Sequence, residues 1–271
     1  MTHKQDLIDE LLQIYNGDLS KISKDLSSRA DAYKKVQKSK KDFSGAPIIA
    51  RAVDVSKTFN PGKDNKVEAL ASVNVDIRQG EIAALVGPSG SGKSTLLNIF
   101  AGLDKPTDGK IEIDGQSLGE MTDNQLSTFR NNQIGFVFQF FYLQPFLDLQ
   151  TNVEVPTMFN RTSPKERHDY SAKLIDAVGL GDRLKHLPKE LSGGQMQRAA
   201  IARALINKPR LIIADEPTGN LDSANAQAIM DLFEDVRQKH GTAVLVVTHD
   251  KNIAKRADRV LTLKDGKVIS S

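Results

Sequence analysis

The sequence predicts an α/β fold that combines a parallel β-sheet, an antiparallel β layer and an inserted group of helices. Short, continuous apolar runs at residues 82–86, 211–214 and 243–247 are typical of strands buried on both faces of a parallel sheet. A longer run at residues 66–78 instead alternates apolar and polar side chains, which is the pattern of a half-exposed antiparallel strand. A helix-initiating Ser-Pro-Lys-Glu sequence at residues 163–166 lies between two of the buried runs and places a helix among the strands.

The composition is that of an ordinary globular protein with no membrane span. Of the 271 residues, 39% are hydrophobic and 26% are charged, and this length allows one large domain with a sizeable core. No apolar run approaches the roughly 18 residues that a membrane-spanning helix needs, and the first residues resemble no secretory signal. The sequence contains no cysteine, which excludes disulfides and thiolate metal sites and suits a cytoplasmic protein without requiring it.

The excess positive charge is concentrated near the N-terminus. Residues 1–41 contain nine Lys/Arg and six Asp/Glu, which accounts for the whole net charge of +3. The remaining 230 residues contain 28 charges of each sign and are neutral. A neutral body argues against a dedicated nucleic-acid-binding protein, which would present a basic face.

We assign residues 1–47 to an N-terminal helical extension with a linker, and residues 48–271 to the main domain. In the extension, apolar residues from Leu19 to Val36 repeat at three- and four-residue steps, which predicts an amphipathic helix. Five clustered lysines follow at positions 34, 35, 38, 40 and 41. Two interpretations fit this pattern: a helical hairpin that packs on its own domain or is partly disordered, or an element that docks on a protein or on anionic lipid.

The remaining elements of the main domain follow the same patterns. Further strands are expected at residues 48–59 and 110–114 in the antiparallel layer, and at residues 134–139 in the parallel sheet. Helices are expected from Pro164 and after Ser192. A hairpin that turns at residues 265–266, an Asp-Gly pair, is expected to close the chain.

A glycine-rich loop at residues 87–95 provides the most specific chemistry in the sequence. It matches the pattern G-x-x-x-x-G-K-[ST] and lies between a buried strand and an apolar helix at residues 95–101. Its glycines let backbone N–H groups turn towards phosphate oxygens, and the helix N-terminus adds the positive end of its dipole. Lys93 is expected to reach the β- and γ-phosphates of a nucleotide, and the Ser94 hydroxyl to bind Mg²⁺. The predicted nucleotide site comprises Gly87, Pro88, Ser89, Gly90, Ser91, Gly92, Lys93, Ser94 and Thr95.

Polar side chains follow the buried strands, at the end where ligands bind in open α/β sheets. Asp215 is expected to hold Mg²⁺ through water, and Glu216 to orient the attacking water or to accept its proton. His249 is expected to hydrogen-bond the γ-phosphate, and Gln139 to reach the metal or the water. Taken singly, Gln139 and His249 could each merely cap a strand. Their occurrence together at successive strand ends favours a catalytic arrangement.

These residues carry a resemblance to the ATP-binding-cassette (ABC) ATPases. The sequence Leu-Ser-Gly-Gly-Gln is similar to the signature motif of that family, which is highly specific. It occurs, in the family's order, with the phosphate loop, Gln139, the strand before Glu216, Asn-Leu-Asp at residues 220–222 and Thr-His-Asp at residues 248–250. The resemblance implies a P-loop NTPase cassette with a RecA-like core, an antiparallel β subdomain and a helical subdomain inserted at about residues 140–195.

The resemblance covers roughly residues 48–269 and is greatest to the MacB/LolD/FtsE branch, on residues 135–139 and 214–222. It implies a head-to-tail pair of cassettes, for which we expect a homodimer, that encloses two ATP molecules. The signature residues would then offer a second phosphate cradle to the ATP of the partner chain, because a hydroxyl and N–H groups meet at a helix N-terminus. The predicted interface residues are Ser192, Gly193, Gly194, Gln195 and Asp222.

Two groups of aromatic residues are interpreted separately. Phe59 stands where the family often has an adenine-stacking Tyr, and its ring can stack in the same way, although a role in the core is the alternative. Six of the fifteen aromatic residues lie between positions 136 and 146. We expect those that follow Gln139 either to line a groove for a cytoplasmic helix of a permease or to pack the helical subdomain. They are Phe140, Phe141, Tyr142 and Phe146.

The sequence therefore predicts an ATPase that hydrolyses MgATP and drives a membrane permease on another chain. The expected cofactors are ATP and Mg²⁺, and the expected location is the cytoplasmic face of the cell membrane, to which the protein is peripheral. One alternative is an FtsE-like regulatory ATPase that switches a membrane partner without moving a solute. Another is a soluble cassette that acts on DNA or ribosomes, which the neutral body disfavours.

Overall fold

The computed structural model describes residues 42–60, 62, 65–160 and 162–270. Most of the predicted N-terminal extension, including its five clustered lysines, lies outside the described residues. Within the described part of the chain, the strands are β1 (Ile48–Phe59), β2 (Val67–Arg78), β3 (Ile82–Val86), β4 (Asp108–Ile113), β5 (Gln116–Ser117), β6 (Ile134–Phe138), β7 (Leu211–Asp215), β8 (Ala243–Val247), β9 (Arg259–Lys264) and β10 (Lys267–Ser270). The α-helices of the same part are α1 (Lys93–Phe100), α2 (Asp123–Gln133), α3 (Leu149–Glu154), α4 (Pro164–Ala177), α5 (Gly193–Leu205), α6 (Ser223–His240) and α7 (Lys251–Arg256).

A four-stranded antiparallel sheet in the order β2-β1-β4-β5 confirms the predicted antiparallel layer. In β2, Val73, Val75 and Ile77 are buried, whereas Asn74 between them is exposed. Successive side chains of a strand point to opposite faces, so this alternation lets one face enter the core while the other meets solvent.

A second sheet of six strands, in the order β10-β9-β3-β8-β7-β6, forms the centre of the fold. Its neighbouring strands run parallel, as predicted, except for the terminal hairpin of β9 and β10. The predicted turn joins these two strands at Asp265 and Gly266, whose φ angles are 47° and 72°. Two successive positive φ angles match the twist of a two-residue hairpin, and the Asp-Gly pair tolerates them.

Apolar clusters cover both faces of the parallel sheet. In β3, Ala83 and Leu85 belong to the cluster shared with the antiparallel sheet and α1, whereas Ile82 and Ala84 belong to the cluster shared with α5 and α6. A strand covered on both faces needs apolar residues at every position, which explains the continuous run in the sequence. The predicted α/β class with a parallel core is therefore confirmed.

The carboxyl ends of the parallel strands are aligned by their register. Leu85 of β3 pairs with Val247 of β8, Val247 pairs with Asp215 of β7, and Asp215 pairs with Phe138 of β6. The residues that follow each strand consequently meet at one edge of the sheet.

The two helices predicted after Ser163 and Ser192 are confirmed as α4 and α5, and each begins with a capping box. Helices α2 and α6 have no counterpart in the sequence predictions. Helix α6 begins where the Asp222 side chain accepts the N–H of Asn225, and it buries apolar side chains such as Phe233 on one face.

Candidate functional site

The phosphate loop, residues 87–92, is held tightly between β3 and α1 at two of its glycines. A Cβ atom on Gly87 would lie 2.1 Å from the carbonyl oxygen of Leu263, and one on Gly92 would lie 2.4 Å from that of Ala69. Gly92 also has a φ of 102°, which side chains rarely tolerate. Gly90 by contrast faces open space, so the loop is fixed on one side and accessible on the other.

Lys93 closes the phosphate loop from within. Its Nζ atom donates hydrogen bonds to the carbonyl oxygens of Gly87 at 2.9 Å and Pro88 at 2.8 Å. These two bonds hold a positive charge beside the loop and leave a third donor of the ammonium group for another acceptor. The hydroxyl of Ser91 is buried and has no hydrogen-bond partner among the described residues. Ser94 is exposed and Thr95 is half-buried in the first turn of α1.

Asp215, at the end of β7, lies close enough to Lys93 and Glu216 for their charges to act on it. Burial, and secondly the negative charge of Glu216, raise the pKa of Asp215 above its ordinary value, while the charge of Lys93 lowers it. Because two neighbouring carboxyl groups face one lysine, negative charge exceeds positive charge at this site. Among the described residues, no group of three or more acidic, His or Cys side chains is placed to hold a metal by itself.

Glu216 has an unusual backbone and a specific partner. Its φ is 47°, which is uncommon for a residue other than glycine, and its N–H donates to the carbonyl oxygen of Val247 at 2.9 Å. Its Oε1 atom lies 2.9 Å from Nδ1 of His249. Because the Glu216 side chain is 19% exposed and that of His249 is 75% exposed, the imidazole covers the carboxylate from the solvent side. With Nδ1 used in this contact, Nε2 of His249 is the atom free to meet a ligand.

Gln139 is joined to the loop that follows β7. Its Nε2 atom donates to Oδ1 of Asn220 at 3.3 Å, and Nδ2 of Asn220 donates to the carbonyl oxygen of Gln139 at 3.1 Å. A Cβ atom on Gly219 would lie 2.9 Å from the same Nε2 atom, so that glycine makes room for the contact. The strand ends of β6 and β7 are therefore linked through side chains, and the amide oxygen of Gln139 remains available.

The signature residues and Asp222 meet each other through Asn225. Asn225 donates from its backbone to one carboxylate oxygen of Asp222 at 2.9 Å and from its side chain to the other at 2.7 Å. These bonds, the backbone bond first, lower the pKa of Asp222. A Cβ atom on Gly194 would lie 2.4 Å from Oδ1 of Asn225, so the N-terminus of α5 packs directly against this loop.

Ser192 caps α5 and is exposed. Its hydroxyl accepts the N–H of Gln195 at 3.4 Å, and the side-chain oxygen of Gln195 accepts the N–H of Ser192 at 2.8 Å. Gly193 has only ordinary contacts around it, with Leu221 and Phe141. The exposed N-terminus of a 13-residue helix presents unpaired N–H groups together with the positive end of its dipole.

Phe59 lies at the surface, at the end of β1. Its ring is 41% exposed, and Nζ of Lys57 lies 5.1 Å from its centre. This exposure argues against the alternative in which Phe59 belongs to the core.

A groove of about 820 Å³ lies beside the segment that follows Gln139, and we call it the aromatic groove. Its described lining residues are Ser127, Thr128, Arg130, Asn131, Ile134, Gly135, Phe136, Phe138, Tyr142, Pro156, Phe159, Asn160, Arg203, Ala204 and Asn207. Of the four aromatic residues predicted to line a groove or pack helices, Phe140, Tyr142 and Phe146 are more than 60% exposed, and Phe141 is half-buried. Only Tyr142 of these four lines the groove itself.

Sequence reasoning assigned no role to several residues of the groove and of the strand ends beside it. Phe159 is 80% exposed and was assigned no role. Gln197 is fully buried on α5 and donates to the carbonyl oxygens of Phe138 at 3.3 Å and Pro217 at 2.6 Å, which joins two strand ends. Its position two residues after the signature pentapeptide is the one signal that pointed to it. Arg203 also lines the groove and was assigned no role.

Comparisons with known proteins identify the family of this chain. The family model described as ABC transporter matches residues 70–219. The macrolide export ATP-binding/permease protein MacB of Brucella melitensis is 47% identical over 228 residues, which cover 84% of this chain and 35% of that protein. The chain thus spans about a third of the length of the MacB proteins that it matches. The lipoprotein-releasing system ATP-binding protein LolD of a Shewanella species is 43% identical over 219 residues, which cover 81% of this chain and 93% of that protein.

Solved structures give the same result. A dimeric post-hydrolysis state of the ATP-binding cassette MJ0796, bound to ADP and Pi, is 43% identical and has a TM-score of 0.74, covering 82% of this chain and 97% of that one. A further match is the structure of cbiO1 from Clostridium perfringens, described as part of the ABC transporter complex cbiONQ. It is 28% identical and has a TM-score of 0.74, covering 82% of this chain and 87% of that one. No helix in the described part of the chain is long and apolar enough to cross a membrane.

Proposed function

The chain belongs to the ABC transporter family and is an ATP-binding cassette ATPase, and from that premise we propose that it hydrolyses MgATP to drive a membrane permease on another chain. The observation that carries the chemistry is the meeting of the phosphate loop, Asp215, Glu216 and His249 at one edge of the parallel sheet. In this arrangement a phosphate chain would lie against the loop, with its γ-phosphate towards Glu216 and His249.

Mg²⁺ fits the oxygen donors at this edge. The Ser94 hydroxyl, the Asp215 carboxylate and the Gln139 amide oxygen are hard ligands of the kind that Mg²⁺ prefers, and a divalent cation would offset the crowding of two carboxyl groups. Mg²⁺ usually takes only one or two protein carboxylates together with phosphates, so a dedicated cage of acidic side chains is not required. When bound, the ion would neutralise charge on the phosphates.

Glu216 is our candidate for the residue that orients the attacking water and accepts its proton. Its strained backbone and the contact with His249 hold the carboxylate in one place, which a general base requires. His249 would fix the carboxylate through Nδ1 and offer Nε2 to the γ-phosphate. Lys93 would meet the β- and γ-phosphates with the donor that its own loop leaves free.

A second cassette would complete each site. The exposed cap at Ser192, with Gly193, Gly194 and Gln195, offers donors that phosphate binding within its own chain does not use. Asp222 is braced against the same helix N-terminus and would face the partner chain. The neighbouring solved cassettes include dimers, and we propose a homodimer in which Phe59 stacks on the adenine.

The permease is proposed from two further observations. Relatives of this chain are named as ATP-binding parts of a macrolide exporter and of a lipoprotein-releasing system. The exposed aromatic residues beside the aromatic groove form an apolar surface suited to a cytoplasmic helix of a partner. The cassette would then sit at the cytoplasmic face of the membrane, with residues 1–47 as an extension and residues 48–271 as the ATPase domain. No contact among the described residues favours an FtsE-like regulatory role instead.

Replacement of the proposed base tests this function. Glu216→Gln keeps the shape of the side chain but cannot accept a proton, so ATP turnover by the full chain should fall by about 10²–10⁴-fold while ATP affinity is retained. The matched control is Glu120→Gln, which makes the same change at an exposed site on a short turn after β5 and should leave turnover unchanged. Turnover by Glu216→Gln at near the normal rate would refute the assignment.

A further inference from the structure

The aromatic groove is positively charged. Arg130 from α2 and Arg203 from α5 line it, and none of its described lining residues is acidic. The rest of its wall is neutral polar or apolar, with Phe138, Tyr142 and Phe159 among the apolar side chains. A groove of this composition attracts an anion at one place and an apolar side chain at another.

Arg203 holds a charge in this groove without a carboxylate beside it. Its two terminal nitrogens donate to the carbonyl oxygens of Tyr142 at 2.6 Å and Phe141 at 2.8 Å, and it forms no ion pair within the described part of the chain. Burial lowers the pKa of its guanidinium group. Neutral carbonyl groups compensate a partly buried cation less well than a carboxylate does.

Arg130 repeats this situation from the other helix. It donates to the carbonyl oxygen of Gly102 at 3.0 Å and, among the described residues, has no acidic partner. Other arginines that are buried or partly buried do find carboxylates, since Arg237 pairs with Asp258 and Arg259 pairs with Glu81. The groove therefore brings together two arginines that have no carboxylate partner in the described part of the chain.

We propose that the aromatic groove recognises a carboxylate on the partner permease: a glutamate or aspartate of its docking helix pairs with Arg203 and Arg130, beside an apolar side chain that packs on Tyr142 and Phe159. The choice of a permease as the occupant rests on the proposed function. The charge of the groove selects an acidic segment over a neutral or basic one, because a like charge in a half-enclosed groove is strongly disfavoured. Arg203 also braces the segment after Gln139, so the carboxylate would bind where the partner can influence the nucleotide edge.

Two short, labelled helical peptides test this inference on the full chain. Both carry the same Phe and Leu anchors and differ only in one central residue, which is Glu in one peptide and Gln in the other. The Glu peptide should bind about tenfold more tightly at low salt, equivalent to one charge-assisted pair, and added salt should reduce the difference. In Arg130→Gln, the preference for Glu should shrink to about twofold or less. Arg51→Gln, which removes an exposed arginine from β1, should leave it unchanged.

Several outcomes would overturn the inference. Equal affinity for the two peptides, no measurable binding of the Glu peptide, or a preference that survives in Arg130→Gln would each contradict a carboxylate site. Vesicles that contain phosphatidylglycerol form a further arm. If Arg130→Gln weakens vesicle binding while the peptides are not distinguished, the groove binds lipid phosphate and the inference is wrong. The turnover test with Glu216→Gln is independent of these binding results. The proposed function can therefore be refuted without refuting this inference, and the reverse. Circular dichroism of each variant shows whether the fold is intact.

Discussion

The two ends of the parallel sheet differ in how their charges are compensated. At the amino end, Arg259 pairs with Glu81 at 2.7 Å, and Asp258 accepts both the backbone N–H of Ile82 and the Arg237 side chain. At the carboxyl end, Asp215 and Glu216 lie side by side, and Lys93 donates to carbonyl oxygens of its own loop. At the amino end, each of these charges is paired with an opposite charge within the chain. The carboxyl end has the composition of a site that a cation, a phosphate chain and a second protein chain would complete.

The largest stability effect should come from the amino end. The side chains of Arg237 and Asp258 are both less than 9% exposed, so Asp258→Asn removes the buried anion and leaves the guanidinium group with only the more exposed Glu234 as an acidic partner. The free energy of unfolding should fall by about 3 kcal/mol, the lower end of the range for removing one partner of a buried pair, because Glu234 still faces the guanidinium group. Urea denaturation measures this change, and ATP turnover per folded molecule should stay near normal.

Asp231→Asn is the matched control for that change. Asp231 pairs with Arg256 at 2.7 Å but is 69% exposed, so its loss should cost less than about 1 kcal/mol. If both variants lost the same stability, or if Asp258→Asn lost turnover as Glu216→Gln is expected to, the contrast between the two ends would be wrong.

A second effect, on coupling to the permease, should appear when the exposed aromatic residues that follow Gln139 are replaced. The stability of the sheet should not change. Phe140→Ser and Phe146→Ser change side chains that are 61% and 73% exposed, so each should alter stability by less than about 0.5 kcal/mol. Because these rings are proposed to contact the permease, stimulation of the ATPase by the permease should be lost while basal turnover persists. Leu149→Ser is the contrasting variant, since Leu149 is fully buried and its loss should unfold the helical region. Unfolding by the Phe variants would show that the aromatic residues belong to the core.

The smallest effect should be the pH dependence of stability caused by Asp215. Its folded pKa is raised, so the folded state binds more protons than the unfolded state, and stability falls as the pH rises above the ordinary value of 3.8. Asp215→Asn removes this ionisation, so in the absence of ATP and Mg²⁺ the variant should have the higher urea midpoint at pH 7. The advantage should disappear as the pH approaches 4. A variant that is less stable than the wild type at pH 7 would show that the carboxylate is well compensated.

The sequence predicted the sheet and its functional edge better than it predicted the surrounding helices. Strands such as β3 and β8 could be predicted because a short, continuous apolar run is best buried in the interior of a parallel sheet. The polar residues that follow such strands then lie at the same edge of the sheet. Helix α2 was missed because it buries few apolar residues, among them Leu126 and Phe129, and is otherwise polar. Helix α6 was missed although its buried residues recur at three- and four-residue steps, a signal that was present in the sequence.

The contacts between motifs could not be predicted from the sequence. The pairing of His249 with Glu216, and of Gln139 with Asn220, depends on how adjacent strand ends are spaced in three dimensions. Arg203 belongs to no short motif with a chemical meaning, and its lack of an acidic partner emerges only when the groove is assembled. Sequence patterns identify groups that react or bind. The structure identifies which of them lack a partner.

The most direct test is whether a second chain completes the carboxyl end of the sheet. It measures the molar mass of the Glu216→Gln protein in the presence of ATP and Mg²⁺ by size-exclusion chromatography with light scattering. We expect a dimer that retains two ATP molecules, because slow hydrolysis preserves the state in which Ser192 of each chain meets the nucleotide of the other. Adding Ser192→Arg should return the protein to a monomer that still binds ATP. A Glu216→Gln protein that binds ATP but stays monomeric, or a dimer that is indifferent to Ser192→Arg, would contradict the account.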